Sequence, residues 1–285
     1  MLQSRAKHDQ KIIKVLQKTR IDAATRISDS LQGSVWKGML HDDELETCTR
    51  NPQPVVVKVT DQYLQQHSLA QISDTTVRVH ENVVSEAKIL QFVTNRKQCP
   101  DSIVKFHHFF KTKTDYFLVM EDGGSSLFDF VVKAHSMIRS GRIAIPHWMQ
   151  VAKLIFKQML ECVQYLHSLN ICHQDLSLEN FVINDVMVNV TQTGAQKDHG
   201  ESLEFVTKGI QIKLIDFGLA EQFSDHLCLC DKWCGKDNYE SPEVLAKDNP
   251  FNAKKNDIWC LGVTLFMLTV GHAPWQRASK SDQVY

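Results

Sequence analysis

The stretches HQDLSLEN at residues 173–180 and IDFG at residues 215–218 decide the fold of this sequence. The first follows a long helical pattern of apolar residues, and the second ends a short strand-like run. Asn180 and Asp216 offer the oxygen ligands that Mg²⁺ prefers, and Asp175 could accept a proton from an attacking hydroxyl. The two motifs therefore indicate phosphoryl-transfer chemistry.

A lysine and a glutamate upstream fit the same chemistry. Lys58 lies in the strand-like run VVVKV at residues 55–59, and Glu86 lies among apolar residues at helical spacing over residues 81–93. A cation and a carboxylate placed in this way are suited to pairing beside phosphate groups.

Two later motifs complete an ordered set, SPE at residues 241–243 and DIWCLG at residues 257–262. With this set the sequence resembles the eukaryotic protein kinase superfamily over about residues 25–285. The catalytic stretch ends in Leu-Glu-Asn, and Glu179 in that ending favours the Ser/Thr type.

The resemblance implies that ATP and Mg²⁺ are bound and assigns roles to the residues quoted above. Lys58 would hold the α- and β-phosphates, Glu86 would orient Lys58, and Asp175 would be the catalytic base. Asn180 and Asp216 would be the metal ligands.

The resemblance also predicts where the nucleotide binds. Met120 would be the gatekeeper, and the backbone of residues 121–123 would hydrogen-bond adenine. The glycine-rich loop retains only its third glycine, because Ser28 and Ser30 stand where the family has the first two. The residues predicted to bind the nucleotide are Gly33, Val35, Val56, Lys58, Met120, Glu121, Gly123, Val182 and Ile215. The apolar members of this set could equally be core residues.

One catalytic cation is displaced relative to the family pattern. Ser177 stands where most Ser/Thr kinases have a lysine, and Lys236 stands where they have a threonine that contacts that lysine. Because the two family positions touch, we hypothesise that Lys236 reaches past Ser177 toward the γ-phosphate. The alternative is a solvated loop lysine.

The pattern also departs from that of kinases switched on by phosphorylation. Gln174 replaces the arginine that in many kinases grips a phosphorylated activation loop, and residues 225–235 contain no Ser, Thr or Tyr. We therefore expect activity without activation-loop phosphorylation. The same loop holds His226, Cys228, Cys230 and Cys234, whose spacing is not that of a familiar zinc site, so ordinary packing is favoured over metal binding.

The order of patterns predicts an α+β, two-lobe, protein-kinase-like fold. Residues 1–24 would be an N-terminal extension, with a short helix or a frayed tail over 7–18. Residues 25–122 would form a small antiparallel β lobe with one αC helix, and residues 123–285 a mainly helical large lobe. The strands are predicted at 34–40, 54–59, 101–110, 115–122, 181–184 and 212–216, and the later helices at 127–138, 147–169 and 256–270. Residues 41–54 and an insert at 187–210 are predicted to be loops.

The sequence ends soon after the apolar segment 257–270, so we expect the large lobe to be incomplete, its last helices missing. Such a chain would be a fragment, or would need a partner to cover exposed apolar surface. Glu243 would normally pair with an arginine in the absent part and would be left as a buried, unpaired carboxylate.

The composition limits which classes of binding partner and which cellular compartment are expected. The chain has 285 residues, and 32 Lys and Arg balance 33 Asp and Glu. This balance gives no general electrostatic case for binding nucleic acid or an anionic membrane. No signal peptide or membrane span is recognised, so a cytoplasmic or nuclear location with reduced cysteines is expected.

Two functions remain after these exclusions. The favoured one is an ATP-dependent protein kinase that phosphorylates Ser/Thr hydroxyls of protein substrates. The rival is a truncated pseudokinase or scaffold, suggested by the glycine-poor loop, by Ser177 and by the short large lobe. A kinase-like enzyme acting on a small molecule is disfavoured by the Ser-Pro-Glu motif, which shapes the peptide platform in protein kinases.

Overall fold

The computed structural model divides the chain into two compact units. The first comprises Met1–Ala87 and Lys105–Asp122, and the second comprises Lys88–Val104 and Gly123–Tyr285. The structure describes residues 2–41, 51–72, 75–78, 80–184, 188–190, 203–205, 209–232, 235–247, 250–280 and 282–285.

The first unit is built on one antiparallel sheet. Its elements are α1 (Leu2–Lys18), β1 (Ile21–Ser30), β2 (Gly33–Leu40), β3 (Gln53–Asp61), α2 (Gln62–Gln66), β4 (Leu69–Ile72), β5 (Thr75–Arg78), the start of α3 (Val83–Thr94), β6 (Phe106–Lys111) and β7 (Asp115–Glu121). The sheet has the strand order β1-β2-β3-β7-β6, and β4 pairs with β5 in a separate ribbon. All of these pairings are antiparallel.

Helix α1 covers one face of the five-stranded sheet. Ile12 and Leu16, four residues apart, lie on the same side of the helix and are almost fully buried. They pack into a core cluster that contains Ile21, Trp36, Leu40, Val55, Val57, Val59, Phe117 and Val119. Because strand residues alternate between the two faces, this packing turns Val56 and Lys58 toward the opposite face.

The second unit is mainly helical. Its elements are β8 (Ser125–Ser126), α4 (Leu127–Arg139), α5 (Ile145–Ser168), β9 (Ile171–Cys172), a 3₁₀ turn (Leu178–Asn180), β10 (Phe181–Ile183), β11 (Val188–Val190), β12 (Leu203–Phe205), β13 (Ile212–Leu214), β14 (Glu221–Gln222), β15 (Leu229–Cys230), α6 (Pro242–Ala246), β16 (Phe251–Asn252) and α7 (Ala253–Val270). Its short strands form one three-stranded sheet, β13-β10-β8, and the pairs β11-β12, β14-β9 and β15-β16.

The C-terminal end of α7 is fixed against α4 and α5. The carbonyl oxygen of Leu268 lies 2.8 Å from Trp148 Nε1 and 3.0 Å from His135 Nε2. Gly271 ends the helix with a φ of 88°, and a Cβ at this position would lie 2.5 Å from the His135 ring. Glycine is therefore favoured at this position, because it adopts the left-handed conformation without strain and has no Cβ to collide with the histidine ring.

The predicted α+β, two-lobe kinase-like fold class is confirmed, and most predicted elements are present. The helix predicted over 7–18 is longer, and the first unit holds α1 and α2 besides α3. Strand β1, Ile21–Ser30, is not among the strands predicted above; it pairs with β2, with Ile21 opposite Leu40. Lobe boundaries at residues 24 and 122 stay predictions.

Two expected strand and loop assignments need correction. The strand predicted at 101–110 begins only at Phe106, since Ile103 forms an isolated parallel bridge with Leu214 in the second unit. Within the insert at 187–210, which was predicted to be a loop, the described residues include a β11-β12 pair. Its remaining residues, like 42–50 of the predicted 41–54 loop, lie mostly outside the described residues. Among the described helices, none has the length and apolar character that a bilayer crossing needs.

Candidate active site

The first unit holds the predicted lysine–glutamate pair. Lys58 Nζ lies 3.0 Å from Glu86 Oε2 and 3.8 Å from Glu81 Oε2. Glu86 stands in the first turn of α3, where Asn82 Oδ1 accepts hydrogen bonds from Val84 N and Ser85 N. The Glu86 side chain is only 1% exposed, so the ammonium and the carboxylate stabilise each other inside the unit.

Several predicted nucleotide-binding residues share the sheet face that carries Lys58. Val35 stands opposite Lys58 in the β2-β3 register, and Val56 stands opposite Met120 in the β3-β7 register. Gly33 begins β2, where a Cβ would lie 2.0 Å from the carbonyl oxygen of Val59. This strand contact explains the glycine without any reference to a ligand. Glu121, the last residue of β7, donates its backbone N–H to Lys105 O at 3.0 Å.

The other predicted nucleotide-binding residues lie in the second unit. Val182 is the central residue of β10, and Ile215 follows β13, its pairing partner. Gly123 lies against the same strand, because a Cβ at Gly123 would be 2.4 Å from Val182 Cγ2. The structure thus places Gly123 beside Val182.

A buried carboxylate on α7 fixes the start of the catalytic loop. Asp257 is 1% exposed and accepts backbone hydrogen bonds from His173 N at 3.0 Å and Gln174 N at 2.9 Å. His167 Nε2 lies 2.8 Å from the same carboxylate. Gln174 adopts a φ of 64°, a left-handed conformation that costs a non-glycine residue about 1 kcal/mol. The contacts with Asp257 hold the loop in that conformation.

The predicted base and a predicted metal ligand contact each other. Asn180 Nδ2 donates to the Asp175 backbone oxygen at 2.7 Å and to Asp175 Oδ2 at 2.6 Å. With both donations directed to Asp175, the Asn180 Oδ1 accepts no hydrogen bond from any described residue. The Asp175 side chain keeps 15% of its surface exposed and can meet a ligand.

The second predicted metal ligand, Asp216, is tied to the same loop. The residue before it, Ile215, donates its N–H to the Asn180 carbonyl oxygen at 2.9 Å. The ring of His173 meets the ring of Phe217 edge to face, with centroids 5.1 Å apart. Asp216 has a φ of 61°, and its Oδ1 lies 3.4 Å from Gly218 N. The structure therefore brings the two motifs together, and the amide and carboxylate oxygens suit Mg²⁺.

Lys236 lies in the activation segment, the stretch between the IDFG and SPE motifs, and contacts the catalytic loop, residues 173–180. Its Nζ lies 3.0 Å from Asp175 Oδ2 and 2.8 Å from Ser177 Oγ. These are the contacts that the hypothesis of a displaced cation requires. Its role in catalysis stays a prediction.

Neutral contacts hold the activation segment. Gln174 Oε1 accepts a hydrogen bond from Cys230 Sγ at 3.1 Å, and Gln174 Nε2 donates to Leu219 O at 3.1 Å. Cys228 is fully buried in a cluster with Cys172. The position where many kinases have a phosphate-gripping arginine is therefore filled by an amide that bonds to a thiol.

The activation-segment cysteines and histidine do not gather as one metal site in the described part of the chain. His226 is exposed, with Nδ1 3.4 Å from Asn170 Oδ1, while Cys228 and Cys230 are buried among other partners. Cys234 lies outside the described residues. Their arrangement agrees with the packing interpretation.

A different group places metal-type ligand atoms within 4.8 Å of one another, and it consists of His167, Cys172 and Asp257. Both Asp257 oxygens already accept hydrogen bonds from the catalytic loop and His167. Burial and then the Asp257 carboxylate raise the pKa of the Cys172 thiol, which disfavours the thiolate that a metal needs. We assign this group to positioning the loop. His167 was not predicted from the sequence, although a carboxylate in an apolar helix indicates a buried partner.

The segment before α6 is anchored by a tyrosine and a serine. Tyr239 donates its hydroxyl to Glu179 Oε2 at 3.0 Å and accepts from Leu178 N, and Ser241 N donates to Asn256 Oδ1 at 3.1 Å. Glu243 is exposed, which corrects the expectation of a buried, unpaired carboxylate. It lies in the first turn of α6, where solvent reaches it.

Comparison with known proteins shows the family of the chain. The family model for the protein kinase domain matches residues 45–285. The chain belongs to the protein kinase domain family. This kinase domain is 31% identical over 182 residues to the SNF-related serine/threonine-protein kinase of Rattus norvegicus, Mus musculus and Homo sapiens. The matched residues are 64% of this chain and 20% of each relative.

A yeast protein and a solved structure extend the comparison. The probable serine/threonine-protein kinase HSL1 of Saccharomyces cerevisiae is 30% identical over 176 residues, 61% of this kinase domain and 9% of the yeast protein. The matched region spans a fifth or less of these curated relatives. A crystal structure of another kinase domain superposes with a TM-score of 0.62 at 22% identity, covering 91% of this chain and 68% of the other, and supports the fold.

Any phosphate-transfer activity of this kinase domain is expected to stay within about twofold after phosphatase treatment, because Gln174 and Cys230 stand in place of a phosphate clamp in holding the segment. The check is the initial rate before and after treatment, with phosphate content determined by mass spectrometry. Ser224, exposed at the start of the segment, supplies a control variant, Ser224→Ala. Loss of activity together with loss of a phosphate from Ser224 would contradict the prediction.

Proposed function

We propose that this kinase domain transfers the γ-phosphoryl group of ATP to Ser or Thr hydroxyls of a protein substrate. The observation that carries the proposal is the constellation of Asp175, Asn180 and Lys236, in which an accessible carboxylate meets an amide and an ammonium. The pair Lys58 and Glu86 in the first unit supports it, since a lysine held by a buried glutamate is suited to binding phosphates. The curated relatives are named as serine/threonine kinases, which favours a hydroxyl acceptor of this class.

Asp175 would orient the substrate hydroxyl and take its proton. The hydroxyl oxygen forms a bond to the γ-phosphorus as the bond from phosphorus to the β–γ bridging oxygen breaks. The electron pair of the broken bond leaves with ADP, and the hydroxyl proton passes to the Asp175 carboxylate. Most of the catalysis in such a reaction is positioning and charge stabilisation, because the protein makes no covalent bond itself.

Asn180 and Asp216 would hold Mg²⁺, whose positive charge would neutralise phosphate oxygens. The orientation of Asn180 supports this assignment, since its two donations to Asp175 leave Oδ1 for a ligand. Lys58 would hold the α- and β-phosphates. The family resemblance assigns adenine contacts to the apolar residues Val35, Val56, Met120, Val182 and Ile215, and backbone contacts to Gly33, Glu121 and Gly123.

The proposal is tested by transfer of labelled γ-phosphate to Ser- and Thr-rich proteins, with and without Mg²⁺. Wild type should transfer label only with the metal, and Asp216→Asn should lower the rate about a hundredfold, because metal charge stabilisation is worth several kcal/mol. A folded wild-type protein that binds ATP without transferring label would instead support the scaffold function, which the glycine-poor loop at residues 28–33 favours.

A further inference from the structure

The carboxylate at the centre of the site has its cation on a distant segment. The catalytic loop, residues 173–180, contains no lysine or arginine. The ammonium that contacts Asp175 belongs to Lys236, 61 residues later in the chain. The charge balance of the loop therefore depends on the activation segment.

Among the residues that the structure describes, the Lys236 ammonium has two hydrogen-bond acceptors, which leaves one donor for a ligand. A lysine ammonium has three N–H donors. One is directed to Asp175 Oδ2 and another to Ser177 Oγ. The side chain of Lys236 is 35% exposed, whereas Ser177 is fully buried. The third donor can thus reach a group that approaches Asp175 from solvent.

The residues on both sides of Lys236 lie close to the catalytic loop. Gly235 has a φ of 130°, and a Cβ there would lie 3.3 Å from the Gln174 carbonyl oxygen. On the other side, the Lys236 carbonyl oxygen accepts from Tyr239 N at 2.8 Å, and the Tyr239 hydroxyl bonds to the catalytic loop. The segment therefore lies close to the catalytic loop at Gly235 and is hydrogen-bonded to it through Tyr239.

We propose that Lys236 is a catalytic residue whose ammonium contacts the γ-phosphoryl oxygens during transfer. The inference rests on the proposed function, in which Asp175 directs the substrate hydroxyl toward the γ-phosphate. The Lys236 ammonium is assigned to that same phosphate. An ammonium within hydrogen-bond distance of the base lies beside the reacting phosphoryl group and stabilises the charge on its oxygens.

The first experiment replaces Lys236 with threonine and compares it with Lys232→Thr. Lys232 is a matched control, since it lies in the same segment and pairs with Glu221 at 2.8 Å. We expect Lys236→Thr to lower kcat more than about tenfold. It should also weaken ATP binding at least about fivefold relative to ADP binding, measured by calorimetry, because only ATP carries the γ-phosphate. Lys232→Thr should change neither quantity by more than about twofold.

A charge swap separates a role for the ammonium from a role for residue 236 itself. Because Lys236 Nζ lies 2.8 Å from Ser177 Oγ, a lysine at 177 with a threonine at 236 would place an ammonium near the same point. The double variant Ser177→Lys/Lys236→Thr is expected to recover most of the lost preference for ATP over ADP.

The outcomes separate this inference from the proposed function. Equal loss of ATP and ADP affinity in Lys236→Thr, a kcat within about twofold of wild type, or no recovery in the folded double variant would overturn the role of Lys236. Absence of phosphate transfer by wild type would refute the proposed function alone, since the calorimetric comparison of ATP with ADP needs no turnover.

Discussion

Replacing Asp175 with asparagine is expected to lower the rate of phosphate transfer about a thousandfold, a loss within the range of rate enhancement that a general base contributes. The amide keeps the shape of the carboxylate but does not take up the proton of the substrate hydroxyl. It also removes the negative charge next to Lys236 Nζ, 3.0 Å away. Affinity for ATP should change little, since Asp175 acts on the hydroxyl rather than on the nucleotide.

The measurement is kcat at saturating ATP together with the Kd for ATP of the same preparations. Asp231→Asn is the matched control, because Asp231 is an exposed carboxylate of the activation segment. It should transfer phosphate at a rate within about twofold of wild type. A rate in Asp175→Asn as high as in Asp231→Asn would show that another group takes the proton.

The sequence predicted the local elements and the chemistry-bearing residues well, because both are written in short-range patterns. The apolar periodicity of α5 marks its buried face directly, and the β-branched run at residues 55–59 marks β3 as a strand. The apolar residues of α7 predict a helix but not its buried face, because Asp257 is buried while Ile258 and Phe266 are exposed. Lys58 and Glu86 were predicted as a pair from their positions on a strand and a helix, and the structure joins them at 3.0 Å.

Other features depend on tertiary contacts that no local pattern records. Strand β1 was not predicted because many of its residues are polar, and it is defined by its pairing with β2, with Ile21 opposite Leu40. The exposure of Glu243 depends on how the turn of α6 lies in the fold. The approach of Lys236 to Ser177 was predictable only by resemblance, since 59 residues separate them.

Replacing Asp257 with alanine is expected to lower the free energy of unfolding by about 3–5 kcal/mol. The substitution leaves the buried N–H groups of His173 and Gln174 without their acceptor, at about 1–3 kcal/mol each, and removes the partner of His167. The milder Asp257→Asn keeps one carbonyl oxygen, so it should lose roughly half as much. Gln174 would also lose a contact that holds its backbone in the left-handed conformation. Because Asp175 is the next residue, its position depends on that contact.

Chemical denaturation checks this prediction, with Lys255→Ala as the control on the same helix. Lys255 is exposed, so its replacement should change the free energy of unfolding by no more than about 0.5 kcal/mol. If Asp257→Asn were as stable as Lys255→Ala, the backbone of the catalytic loop would not depend on this carboxylate. If it were destabilised as expected and folded at low temperature, slower phosphate transfer would follow, because the carboxylate on α7 orients the loop that carries the base.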